Sequence, residues 1–370
     1  MRRRTFLTAS VGAAGTLLSG CITQDGEGDG NGGGDERTTL TTPESFEGTL
    51  TVATYEAFVD APSSSPGEWV KQAFESEHED VTLEWQIAEN GVNEFIQRSQ
   101  QDAGIDADVY LGLNVDDLVR ADDRLDDSLF MSSDVAEMEN RSHVRDDLAF
   151  DPQNRAVPYD TGYIALVYDE NEVEEPGTFD DLTTDPYEGT LLAQNAQSSD
   201  PGRAFMLWTV DQFGEDGYLD YWRALQDNDV RIFDSWSDSY DAYSQGERPM
   251  VVSYSTDQVY ANQYDQDMSR HQVAFPNGQG YANPEGAAVF ADSDAPALGF
   301  EFVDFLLSAE AQSEIAVRNV QLPATDHADL PEEFDRYAHE PEEAVVFSYE
   351  ELQGNVDGWV DDWAREIAGN

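Results

Sequence analysis

From Gly48 onward, short apolar runs alternate with stretches whose apolar residues recur every three or four positions. This alternation is the strongest constraint on the fold. Parallel strands need long crossovers, and a helix usually supplies them, so the pattern predicts an α/β layer on a parallel sheet. Gly48–Thr54, Val81–Trp85 and Asp108–Leu111 read as strands, with helices expected over Pro66–His78, Val92–Gln101 and Val115–Ala121. In the first of these, Trp69, Val70, Ala73 and Phe74 share one face. Gly162–Tyr168, Met250–Tyr254, His271–Phe275 and Ala287–Ala291 read as further strands. Pro201–Gln212, Tyr218–Gln226, Ala295–Leu307, Ala309–Val317 and Val356–Ile367 read as helices, and Ser255-Thr256-Asp257 as a helix start. The folded length exceeds one ordinary core, yet no long linker divides it. Two lobes joined by strands that cross a hinge are expected.

The N-terminus speaks of export. Arg2, Arg3 and Arg4 precede an apolar, small-residue stretch too short to span a membrane. Arg3-Arg4-Thr5-Phe6-Leu7 resembles a twin-arginine signal, and Leu18-Ser19-Gly20-Cys21 resembles a lipobox. Cleavage there would leave Cys21, the single cysteine, to carry lipid. The spaced acids Asp25, Glu27, Asp29 and Glu36 imitate a calcium loop, but Gly32, Gly33 and Gly34 and the lack of flanking helices read instead as a flexible tether. The expected organisation is an export signal over 1–20, an acidic Gly-rich tether over 21–47, a first lobe over 48–157 and a second over 158–275. Residues 276–370 are expected to return to the first lobe and end in helices.

Net charge is −58, and loss of the three signal arginines takes it to −61. Lys71 is the only lysine. Hydrophobic residues still make up 39%, enough for a packed core, so this is not an acidic disordered chain. Such self-repulsion strains a compact state unless salt screens it, which molar salt does over about 3 Å. A salt-rich habitat follows. Nucleic acid is a poor partner, because no basic patch exists. One sequon, Asn140-Arg141-Ser142, stands in a polar stretch.

No phosphate-binding loop, dinucleotide fingerprint or nucleophile elbow is present. His78, His143, His271, His327 and His339 are scattered without ligand spacing and read as surface residues. Carboxylate pairs are uninformative with 77 acidic residues. No catalysis, cofactor or metal is expected. Aromatic residues instead gather at strand ends and helix starts: Tyr55, Trp236, Tyr254, Tyr260 and, in a Gly-rich turn, Tyr281. Strand carboxyl ends are where open α/β sheets bind ligands. Aromatic faces there suit a flat or cationic organic solute.

Five segments carry a resemblance. They are Thr51–Phe58 (TVATYEAF), Asp108–Leu113 (DVYLGL), Val157–Val173 (VPYDTGYIALVYDENEV), Ser235–Glu247 (SWSDSYDAYSQGE) and Met250–Tyr260 (MVVSYSTDQVY). Together they resemble the thiamine-binding solute-binding proteins of ABC importers, in order from about Leu50 to the C-terminus. The resemblance implies a two-lobed, type II periplasmic-binding-protein-like α/β fold, monomeric, that closes on its ligand. It also implies delivery to a permease driven by an ATPase. By position, Tyr55, Trp236, Tyr254 and Tyr260 match aromatics of the family's site, Gly91 a glycine, and Ser199 a serine near a helix N-terminus.

Three departures stand out. Asn90 replaces an aspartate. Pro62 and Val320 replace two tryptophans, with Trp69 near the first. Asp200 replaces a small hydroxyl beside Ser199 and would repel a phosphorylated ligand, which favours unphosphorylated thiamine. Glu89, Asp160 and Glu285 are candidate replacement charges. Another cationic or heteroaromatic solute such as a polyamine, or iron, is the alternative. Iron would want converging tyrosine oxygens, and no adjacent Tyr-Tyr pair exists. A lipid-anchored hydrolase or a structural surface protein has no motif in support.

Overall fold

The computed structural model describes residues 39–43, 45–61 and 63–368. The expected export signal, Cys21, the acidic loop mimic and Pro62 lie outside the described residues. Thirteen strands follow in chain order among those described. They are β1 Gly48–Thr54, β2 Val81–Ile87, β3 Val109–Leu113, β4 Ala156–Thr161, β5 Tyr163–Tyr168, β6 Leu191–Gln194 and β7 Arg231–Phe233. The rest are β8 Met250–Tyr254, β9 Gln272–Ala274, β10 Gln279–Ala282, β11 Glu285–Val289, β12 Leu322–Pro323 and β13 Glu343–Val345.

Two sheets result. The first has order β12-β4-β11-β3-β1-β2, the second β13-β10-β5-β8-β6-β7, with β9 beside β5. The sheets are mixed rather than wholly parallel. β1 pairs in parallel with β2 and β3, while β11 runs antiparallel to β3 and β4. The antiparallel strands are those that arrive from or leave for the other lobe. In β3, Val109 and Leu111 pack on one face with Phe74 and Phe302, and Tyr110 on the other with Phe95 and Phe130. In the second sheet, Leu166 and Val252 face Phe205, Trp208 and Trp222, whereas Val167 and Val251 face Tyr240 and Tyr243. Both sheets are thus covered on both faces.

The chain changes sheet by a long connection between β12 and β13 and by two tight hinge crossings, at Gly162, linking β4 to β5, and at Asn283-Pro284, linking β10 to β11. The crossings lie side by side, and the Asn283 N–H donates to the Gly162 carbonyl at 2.9 Å. Gly162 is demanded by close approach: a Cβ there would lie 2.7 Å from the Tyr254 ring and 2.0 Å from the Gln321 side chain. The change of sheet therefore falls after β4, later than the 157/158 boundary read from sequence. Residues 276–370 do not simply return to the first lobe, because β10 and β13 belong to the second sheet. β10 occupies the stretch read as a Gly-rich turn, since Gly280 and Gly286 let neighbours close in on a hinge ribbon. The C-terminal helix Val356–Trp363 spans both lobes. Its Asp357 pairs with Arg120 and Arg124 of helix Val115–Arg124, and Trp363 meets Trp222 edge-on at 5.2 Å.

Candidate functional site

Between the lobes lies a cleft of about 390 Å³. Tyr55, Asn90, Gly91, Ser199, Asp200, Trp236, Tyr254 and Tyr260 all line it. Each is delivered by a strand end or helix start. Tyr55 follows β1, and its ring lies on the backbone of β3, where a Cβ on Gly112 would come within 2.6 Å of it. Gly112 has φ +96°, so this approach suits no other residue. Tyr254 ends β8 across the hinge.

Trp236 opens helix Trp236–Ser244. Ser235 caps that helix, accepting from the Asp238 N–H at 3.0 Å, so the indole is fixed at the cleft edge. The ring stacks on Tyr240 at 4.8 Å and 24°, and Nε1 donates to Ser253 Oγ at 3.1 Å. Tyr260 meets Tyr240 edge-on at 6.3 Å. Behind this wall the Tyr240 hydroxyl donates to Asp257, whose other oxygen meets His271 Nδ1 at 2.6 Å. His271 is thus a buried buttress rather than the surface residue expected from its isolation in sequence. His143 and His327 also come together, their ring centroids 3.9 Å apart with Asp326 beside them, outside the cleft lining. Distance in sequence hid both pairings.

The other departures are placed as follows. Asn90 is exposed on the rim, and Gly91 turns there at φ +55°. Val320 lines the cleft at φ +55°, a strained setting for a β-branched residue, with its carbonyl accepting from the Thr256 hydroxyl. Trp69 does not line the cleft; it stacks on Phe305 at 6.4 Å inside the first lobe. Tyr281 is likewise core, 2% exposed. Asn140 is tied to Asp304 through its backbone N–H at 2.8 Å and its side-chain amide at 3.2 Å.

Ser199 precedes helix Asp200–Phe213, its Oγ buried without a partner. Asp200 does not stand free beside it. Its carboxylate accepts from Arg203 at 2.6 Å. Arg203, 2% exposed, also binds Asp116 and, at 2.7 Å, Asp117. Asp116 and Asp117 come from helix Val115–Arg124 of the first lobe, so this ion cluster joins the lobes at the inner end of the cleft. Burial pushes Asp117 up to about 8 and raises Asp200 as well.

Opposite, at the hinge, Glu285 heads β11 and faces Asp160 of β4 as its register partner. Glu285 lines the cleft. Burial pushes it up to about 7, and burial followed by the Glu285 charge raises Asp160. Of the three candidate replacement charges, Glu89 is exposed and these two are buried. The cleft is a container with aromatic walls and an acidic floor.

Comparison with known proteins agrees. Residues 69–342 match the model of the bacterial extracellular solute-binding protein family. The chain belongs to that family. It resembles the thiamine-binding periplasmic protein of Escherichia coli (strain K12), 27% identical over 333 residues, or 89% of this chain and 96% of the relative. A solved periplasmic thiamin binding protein superposes with TM-score 0.74 at 27% identity, over 88% of this chain and 99% of that one. The fold also matches the periplasmic binding protein AfuA from Actinobacillus pleuropneumoniae, TM-score 0.71 at 16% identity, over 86% and 98% of the two chains. The protein is therefore an exported solute-binding protein of an ABC importer, a type II two-lobed carrier and not an enzyme.

Proposed function

We infer that this protein captures thiamine outside the cell and hands it to its importer's permease and ATPase. The observation that carries this reading is the aromatic wall. Tyr55, Trp236, Tyr254 and Tyr260 line one cleft in a chain whose relatives bear the name thiamine-binding periplasmic protein. A flat aminopyrimidine and a cationic thiazolium both suit such faces, by stacking and cation–π attraction.

Unphosphorylated thiamine is the preferred form. A phosphate at the start of helix Asp200–Phe213 would meet the Asp200 carboxylate, and the nearby Arg203 guanidinium is already occupied by three carboxylates. Calorimetric titration in molar salt tests this. Thiamine is expected to bind, thiamine diphosphate at least about tenfold more weakly. Equal affinities would contradict the assignment.

The reading extends to placement. Arg3-Arg4 would route the chain through twin-arginine export, and Cys21 would anchor it by lipid, with the acidic Gly-rich run after it as tether; the tether ends before the expected Glu47, because Leu40 and Phe46 pack on the first lobe and the Leu40 N–H donates to the Val135 carbonyl at 2.7 Å. The charge of −58 suits a halophilic setting, and a cleft lined from within a single chain suits a monomer. Cys21→Ala is expected to release the protein from the cell surface into the medium; retention on the membrane would refute the anchor.

A further inference from the structure

The acidic hinge has no partner for its charge. Glu285 is 6% exposed and Asp160 1%. The Tyr159 hydroxyl donates to Glu285 at 2.7 Å, and the Asn319 amide donates to Asp160 at 2.8 Å and to the Tyr55 hydroxyl at 3.1 Å. The other oxygen of Asp160 is buried without any hydrogen bond. Among the described residues, no arginine, lysine or histidine pairs with either carboxylate. Arg203, which also lines the cleft, is spent on Asp116, Asp117 and Asp200.

Burying two carboxylates on paired strands with no cation is costly, and folded proteins rarely keep such a pair without a use for it. The pair sits on both hinge crossings at once, in β4 and β11. The groups that face Glu285 are all acidic or phenolic: Asp160 and Tyr159 from β4, Tyr55 beyond β1, Tyr110 of β3, Tyr254 of β8 and Asp200 of the facing helix. An anion is thereby excluded. A cation would complete the site.

We propose that Glu285 and Asp160 form a cation subsite at the hinge, which takes the positively charged part of an organic ligand in exchange for a proton. This rests on the reading of the cleft as a solute trap and names its charge recognition. In the ligand-free protein the pair holds a proton near neutrality, as burial and mutual repulsion dictate. An entering thiazolium stabilises the ionised form, and the proton leaves to buffer. The cation replaces the proton, so charge balances. Because the subsite spans both crossings, its occupation also favours one setting of the hinge. Protonation competes with the ligand, so affinity falls as pH drops below about 7 and levels off above it.

Calorimetry of the full chain in molar salt at neutral pH tests this, in two buffers of different ionisation enthalpy. Three probes serve: thiamine, its uncharged hydroxymethyl-aminopyrimidine half, and spermidine. Thiamine is expected to release a proton and to bind at least tenfold more tightly at pH 8 than at pH 5.5. In Glu285→Gln, which keeps the acceptor for Tyr159, the release is expected to shrink, the pH dependence to flatten, and affinity to fall about tenfold or more. At neutral pH, where it is uncharged, the half-molecule should release no proton and bind Glu285→Gln as it binds the wild type. Thiamine binding without proton release, and unaffected by Glu285→Gln and Asp160→Asn in folded variants, would overturn the subsite. Spermidine binding with proton release, where thiamine does not bind, would keep the subsite and overturn thiamine as the ligand. Failure of both cations to bind folded protein would overturn the subsite too.

Discussion

Two groups of buried carboxylates flank the cleft, and they are treated differently. At its inner end, Asp116, Asp117 and Asp200 surround Arg203, with ion contacts reaching from one lobe to the other. At the hinge, Asp160 and Glu285 face each other with only neutral donors, Tyr159 and Asn319. The first group carries its own cations, Arg203 and, 3.7 Å from Asp117, Arg120. The second has none among the described residues. A charge that holds lobes together must be balanced by the protein. A charge that recognises a solute must be left for the solute to balance.

The largest way to break this comparison is to remove the guanidinium. Arg203→Met strips Asp116 and Asp200 of the guanidinium between them, leaves Asp117 only Arg120 at 3.7 Å, and is expected to cost roughly 3–5 kcal/mol, read by thermal or denaturant unfolding in molar salt. A loss no larger than that of a surface substitution would mean the cluster is not what joins the lobes. Next is the hinge itself. Gly162→Ala pushes a methyl into Tyr254 and Gln321 and should destabilise by about 1–3 kcal/mol while weakening thiamine binding.

Wall against rim gives a third contrast. Trp236→Ala and Tyr254→Ala should each weaken thiamine binding about tenfold or more, whereas exposed Asn90→Ala should change it by about twofold. Equal affinities in all three would remove the aromatic cage.

The smallest effect sharpens the contrast from the other side. Glu285 has a folded pKa above that of the unfolded chain, so the native state binds the extra proton between the two values. Its contribution to stability is present at acid pH and is lost as pH rises toward about 7. Glu285→Gln is therefore expected to stabilise the ligand-free protein by on the order of 1 kcal/mol at pH 8 and little at pH 5. The same variant binds cations worse. Stability gained and binding lost together would mark a functional charge.

The contrast also shows what sequence can and cannot reveal. Alternation of strand and helix was legible, because periodicity is local. So were the aromatics, because Tyr55 and Tyr254 stand at the ends of β1 and β8 where such folds present their ligands. Of the five aromatics read at strand ends and helix starts, Tyr55, Trp236, Tyr254 and Tyr260 line the cleft and Tyr281 is core. The charge pattern was not legible. With 77 acidic residues, no carboxylate stands out until the fold decides which are buried. Glu89, Asp160 and Glu285 were equivalent as letters; burial separates them. Short hinge strands such as β10 hide for a related reason. Their glycines signal a turn, yet here they make room for Phe275 and Phe150. Trp69 likewise looked close to a missing tryptophan, but its helix face turns it onto Phe305.

The aromatic cleft is the proposed thiamine site. Its most direct test is calorimetric titration of thiamine into the wild-type protein and Trp236→Ala, in molar salt above pH 7. One thiamine per chain with micromolar or tighter affinity, substantially weakened in Trp236→Ala, is the predicted result. No binding to folded wild-type protein, or binding that Trp236→Ala leaves intact, would contradict it.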